Sequence, residues 1–172
     1  SYLPRWRPNL DYRDSYSASL VWGGAILDCI HEIDLALWFM GPGEVAAALT
    51  RPASVLGLRT DGLSEIILEH SSGALSNIHL NFVQRNYHRS IQIIGSEGTI
   101  EWDFNEGKTK RYGPDGQLAQ CVLQPQAWEL NQMYLDELHH FLDCVEHGVP
   151  TCNPVEQGAK ALEVALQVRM KE

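Results

Sequence analysis

The sequence predicts an α+β fold: one open, mostly antiparallel sheet with helices packed on one face. Three observations carry this expectation. A nearly all-apolar segment with helical spacing runs over residues 25–40. Strand-like segments separated by short turns fill the interval from Glu44 to about Leu123. Two further helical segments close the chain, parted by Gly148-Val149-Pro150. A helix, a run of antiparallel strands and then helices is the element order of an α+β domain. With 172 residues, 44% of them hydrophobic, the chain is globular and long enough for one domain with a real core.

The elements follow in order. Residues 1–22 are aromatic and basic, with Pro4 and Pro8, and read as an extended arm ending in a turn. Arg5, Trp6, Arg7, Tyr12, Arg13 and Tyr16 crowd into it, either as ordinary surface or as a ligand-binding segment. Guanidinium groups fork onto carboxylates and phosphates, which keeps the second reading open. Gly23-Gly24 precedes the first helix, in which Ile26, Ile30, Ile33 and Leu37 share a stripe at about 100° per residue. Asp28, His31 and Glu32 fall opposite, beside Leu35 and Phe39. A helix apolar nearly all round is buried or lies under a cleft. Gly41-Pro42-Gly43 ends it.

Strands are expected at 45–50, 63–70, 74–83, 90–95, 98–104, 109–112 and 119–123. In the third, Ile78, Leu80 and Phe82 alternate with Asn77, His79 and Asn81, marking one apolar and one polar face. Ser71-Ser72-Gly73, Ser96-Glu97-Gly98 and Pro114-Asp115-Gly116 are turns, so their neighbouring strands run antiparallel. In 129–147, Leu135, Leu138, Leu142 and Val145 form a helical stripe. Asn153 is expected to cap a last helix, with Pro154 at its first position and Glu156 closing a capping box. The polar sheet face is left free for a partner, and a wide exposed sheet serves as an oligomer interface.

Composition narrows the function. A net charge of −9 argues against a nucleic-acid or anionic-membrane surface. No apolar run approaches a membrane span, and the N-terminus carries no apolar signal core. Cys29, Cys121, Cys144 and Cys152 form no Cys-x-x-Cys pair and fit no zinc spacing, so free thiols in a cytoplasmic protein are expected.

Asp28 and His31 are three apart, so on one continuous helix they share a face. A carboxylate that orients an imidazole suits general acid or base work near neutral pH. The same pair also reads as a buried histidine satisfied by a local acid. Glu32 and Asp34 read as structural, with Asp34 capping a neighbouring element or meeting an arginine of the arm. His31, Glu32, His139 and His140 include no His-Glu-x-x-His motif, because Leu35 holds the second histidine position, so no metal is assigned. Gly95-Ser96-Glu97-Gly98 lies between strands and reads as a hairpin rather than a phosphate cradle. No Gly-x-Gly-x-x-Gly follows a strand, so no dinucleotide-binding unit is legible. Arg85, His88 and Arg89 form a second cationic cluster in a loop.

These residues resemble a known family. "GGAILDCIHEIDLALW", Gly23 to Trp38, is similar to the signature helix of the glucose–fructose oxidoreductase and inositol dehydrogenase (Gfo/Idh/MocA) family. "IQIIGSEGTIEWD", Ile91 to Asp103, and the stretch from Tyr134 to Val168 match it in the same order. The arm from Tyr2 to Ala18 is similar to a branch acting on sugars and nucleotide sugars. The resemblance implies that residues 1–172 are a single C-terminal substrate-binding and oligomerisation domain. An N-terminal Rossmann domain, which holds NAD or NADP and the Lys of a Glu-Lys-Pro motif, is then absent from this chain. It implies His31 as the group that moves a proton at the substrate hydroxyl, with Asp28 beside it. Two departures are present: many members space these two residues by four rather than three, and the usual glycine triplet is reduced to Gly23-Gly24 behind Trp22.

The expected protein is therefore part of an NAD(P)-dependent oxidoreductase acting on a sugar, nucleotide sugar or related polyol, inactive alone and binding no dinucleotide tightly. Tyr12, Arg13, His88 and Arg89 are the candidates to hold substrate hydroxyl, carboxylate or phosphate groups. Its partners are that substrate, the missing Rossmann domain and further copies of itself through the sheet face. A non-catalytic binding or assembly module using the same face is the alternative, and a metal-dependent hydrolase a distant third.

Overall fold

The computed structural model describes residues 2–6 and 8–170; Arg7, expected in the cationic arm, lies outside them. The chain forms two compact units, Ser1–Asn86 with Asn153–Glu172, and Tyr87–Cys152.

In the first unit the arm is not extended. It forms a short helix α1 (Leu3–Trp6) and two 3-10 turns, Tyr12–Asp14 and Tyr16–Ala18. The reason is burial: the Leu3 side chain is enclosed in the core, and its N–H donates to Phe82 O at 3.0 Å. Trp6 meets Phe82 edge to face at 6.2 Å. Asp11 caps the first turn by accepting the Arg13 N–H at 3.0 Å.

The single helix expected over 25–40 is two, α2 (Ala25–Asp28) and α3 (Ile30–Met40). Cys29 between them leaves helical geometry, at φ −109° and ψ 27°. Ile26 and Ile33 are both fully buried, and the joint lets each short helix seat its own isoleucine.

Three antiparallel strands follow in sequence order, β1 (Gly43–Pro52), β2 (Asp61–His70) and β3 (Leu75–Asn81). Ile66, Leu68, Ile78 and Leu80 point into the core, whereas Ile67, Glu69, Asn77 and His79 face outward. The period-2 pattern of the sequence thus becomes one dry and one open face. The last helix, α5 (Val155–Met170), adds Ala161, Val164, Ala165 and Val168 to the core shared with α2, α3 and the three strands. Its start differs slightly from expectation. Pro154 O accepts the Gln157 N–H at 2.9 Å, while the Asn153 amide reaches across to Asp34 Oδ2 at 3.4 Å. Asp34 thus meets the loop that precedes α5 rather than capping an element.

The second unit holds the antiparallel meander β4 (Ser90–Gly95), β5 (Gly98–Asp103), β6 (Lys108–Tyr112) and β7 (Leu118–Leu123), then α4 (Leu130–His147). Residues 95–98 form the expected hairpin, and a Cβ at Gly98 would stand 2.0 Å from Tyr112 O, so only glycine fits. The antiparallel α+β class of the sequence reading is present, but its one open sheet is two separate sheets, of three and four strands. Leu135, Leu138, Leu142 and Val145 on α4 keep their helical spacing but remain exposed, and every residue of β7 is exposed.

Candidate functional site

The glycine pair is a packing device. A Cβ on Gly23 would stand 2.3 Å from Tyr16 O, and one on Gly24, at φ +99°, 2.1 Å from Asp61 Oδ1. Asp61 occupies the space that glycine leaves. Its side chain is 3% exposed, and Oδ2 accepts the Ile26 N–H at 2.8 Å, tying down the first turn of α2. Arg169 Nε lies 3.8 Å from Asp61 Oδ1, and its two terminal nitrogens donate to Val21 O at 2.8 Å and Leu20 O at 2.5 Å. Sequence reasoning missed Asp61 and Arg169. No spacing rule links an aspartate at the start of β2 to a backbone N–H of α2, and only the need for glycine at 24 hinted at a close neighbour.

Asp28 ends α2. Both of its carboxylate oxygens are buried and have no hydrogen-bond partner among the described residues. His31, on the first turn of α3, has a side chain 53% exposed, with Nε2 lying 3.3 Å from Glu32 Oε1. The expected Asp28–His31 pairing is therefore replaced by His31–Glu32. The cause is the joint at Cys29, which breaks the continuous helix that a three-residue spacing presupposes. An orphaned buried acceptor is costly, and native chains keep few of them. Together the two residues set an unsatisfied acceptor close in sequence to an accessible imidazole.

The other candidates in this unit have local partners. Tyr12 donates its hydroxyl to Leu56 O at 3.0 Å. Arg13 forks onto Asp11, with Nε 2.9 Å from Oδ1 and Nη2 2.7 Å from Oδ2, and its guanidinium lies 5.5 Å from the Tyr12 ring centroid. The hydrogen bonds from Arg13 hold the Asp11 carboxyl below the usual carboxylate range, and Asp11 raises Arg13 in turn. Arg85 stacks on the Tyr2 ring at 4.5 Å.

His88 and Arg89 belong to the second unit, and each meets a residue of β5. Ser90 Oγ is 3.1 Å from His88 Nε2, and Asp103 Oδ2 lies 3.9 Å from Nδ1. Arg89 sits 5.5 Å from the Trp102 ring centroid. The six candidates are thus divided between the units, with Tyr12, Arg13, Asp28 and His31 in one and His88 and Arg89 in the other. A cavity of about 330 Å³ at the end of β1, lined by Thr50, Arg51, Arg59, Asp61 and Val168 among others, includes none of them. Among the described residues no group of three His, Cys, Asp or Glu side chains is placed to hold a metal ion, and no helix is long and apolar enough to cross a membrane.

An open antiparallel α+β scaffold whose helices carry an orphaned acid and an open histidine is the class this geometry defines. The family model of the GFO/IDH/MocA C-terminal domain matches residues 1–101, and the chain belongs to that family. Solved structures of similar fold include UDP-N-acetylglucosamine 3-dehydrogenase GnnA from Acidithiobacillus ferrooxidans. It has a TM-score of 0.73 and 21% identity over 85% of this chain and 46% of that one. The aldose-aldose oxidoreductase from Caulobacter crescentus, complexed with glycerol, gives 0.76 and 19% over 91% and 48%. Levoglucosan dehydrogenase in complex with NADH and levoglucosan gives 0.77 and 15% over 91% and 52%. The chain spans about half the length of these structures. No curated protein matches its sequence.

Proposed function

We propose that this chain is the substrate-binding and oligomerisation part of an NAD(P)-dependent oxidoreductase acting on a sugar, nucleotide sugar or related polyol, with the dinucleotide held by a Rossmann domain outside residues 1–172. The observation that carries the proposal is Asp28, a buried carboxylate with no partner among the described residues, three positions from the open His31. A polyol supplies the missing donor: a substrate hydroxyl hydrogen-bonds to Asp28, which orients the carbon that bears it. His31 takes the proton of the reacting hydroxyl at Nδ1, the nitrogen that Glu32 does not face. Glu32 Oε1, 3.3 Å from Nε2, steadies the imidazolium that results. The nicotinamide, when bound, receives or gives the hydride. Tyr12 and Arg13 are further proposed substrate contacts in this unit, Arg13 by exchanging Asp11 for an anionic substrate group, and His88 and Arg89 are the separate candidates of the second unit. The proposal includes a cytoplasmic setting, in keeping with four cysteines that form no disulfide.

A purely structural or binding module is favoured by a different observation, the fully exposed β7 with Leu118, Val122 and Leu123. His31→Ala in the two-domain protein separates the readings. Loss of about 10²–10⁴ in kcat with unchanged assembly is the expected result, the usual contribution of a general acid or base. Unchanged turnover would favour the module.

A further inference from the structure

The second unit contains a thiol–imidazole cluster that the proposed reaction does not use. His140 and Cys144 stand one turn apart on α4, and the chain folds back beyond Gly148, at φ +63°, to bring Cys152 alongside. The Cys152 N–H donates to His140 Nε2 at 3.0 Å. The same Nε2 lies 3.6 Å from Cys144 Sγ, and Nδ1 lies 3.9 Å from it. Cys144 Sγ also donates to Pro150 O at 3.6 Å. One ring nitrogen therefore touches both cysteine residues. Because it accepts the Cys152 N–H, it carries no hydrogen of its own and offers a lone pair. The two thiols differ in access: Cys152 is exposed and Cys144 is 6% exposed.

We propose that Cys152 and Cys144 are a peroxide-oxidised dithiol, with Cys152 attacked first, Cys144 resolving it and His140 moving the proton between them. The Cys152 sulfur attacks one oxygen of hydrogen peroxide, and the O–O bond breaks. The departing hydroxide takes the thiol proton and leaves as water, with Cys152 as the sulfenic acid. Cys144 sulfur then attacks the Cys152 sulfur, the S–O bond breaks and the disulfide forms. The Cys144 proton passes through His140 Nε2 to the departing hydroxide, giving a second water. Two thiols are oxidised and one peroxide is reduced. Movement of Cys152 toward Cys144 withdraws its N–H from Nε2 and frees the lone pair for that proton. The bond requires the Cα atoms to come within about 4.4–6.8 Å. The Cys144 thiol lies beside the His140 imidazole, the setting of reactive cysteines.

The test is hydrogen peroxide treatment of the 172-residue chain, thiol blocking, and mass analysis of peptides without reduction. The expected product is a Cys144–Cys152 cross-linked peptide that dithiothreitol releases. In Cys144→Ser the Cys152 sulfenic acid should accumulate and be trapped by dimedone. In His140→Asn, with the circular dichroism spectrum unchanged, cross-linking should be roughly tenfold or more slower. Three results would overturn the proposal: Cys152 carried on to sulfinic acid while Cys144 stays alkylatable, Cys152 joined instead to Cys121 of a second copy, or an undiminished rate in His140→Asn.

Discussion

Asp28 is stabilising nothing that the fold can supply, since both oxygens are buried and unpartnered among the described residues. The account predicts that Asp28→Asn raises the melting temperature by about 2–4 °C for each kcal/mol of relieved desolvation. The same change should cut turnover of the two-domain enzyme about tenfold, the trade-off expected where an active site stores instability. A lower melting temperature with full activity would mean that the carboxylate serves the fold. Arg13 behaves differently. Its pair with Asp11 is fully charged above the ordinary carboxylate range and is lost to protonation only as pH falls through the lowered Asp11 pKa, so at neutral pH only a competing anion displaces Asp11. Asp28 and His31 were legible in the sequence, because polar groups on an apolar helix demand a reason. Their separation was not, because the apolar pattern runs unbroken through Cys29, where the backbone leaves the helix.

At the scale of elements, the strands lie within a residue or two of the sequence reading, because burial of one face writes a period of two into β2 and β3. The turns were legible for an equally local reason, in their Ser, Gly, Pro and Asp residues. The arm was not: its short helical turns are set by Leu3 packing beneath Phe82, a contact between distant parts of the chain. His70, the last residue of β2, ties the end of α3 to β3. Gly41 O can only accept, so His70 Nδ1, 2.8 Å away, carries the hydrogen, and the Ser76 hydroxyl donates to Nε2 at 2.8 Å. Gly43 makes room for the ring, since a Cβ there would stand 2.8 Å from Nδ1. His70→Ala should therefore lower stability by about 1–3 kcal/mol in urea unfolding, the cost of stranding a buried hydrogen-bond partner. A neutral effect would mean that solvent already satisfies Gly41 O and Ser76.

For the whole molecule, family membership rests on residues 1–101, and the fold likeness extends over most of the chain at about half the length of the solved structures it matches. The α+β class was legible from element order alone. The division into two compact units was not: the loop before β4 is legible, but no local pattern says that α5 joins the core of the first unit while α4 stays in the second. The leucines of α4 and the residues of β7 are exposed, and together they leave apolar surface on the second unit. The central claim is that these residues provide the proton and substrate side of a dehydrogenase whose dinucleotide is held elsewhere. Calorimetric titration of the folded chain with NADH and NADPH tests it most directly. The account predicts no saturable heat with either; tight, saturable binding would place a dinucleotide site within residues 1–172 and contradict it.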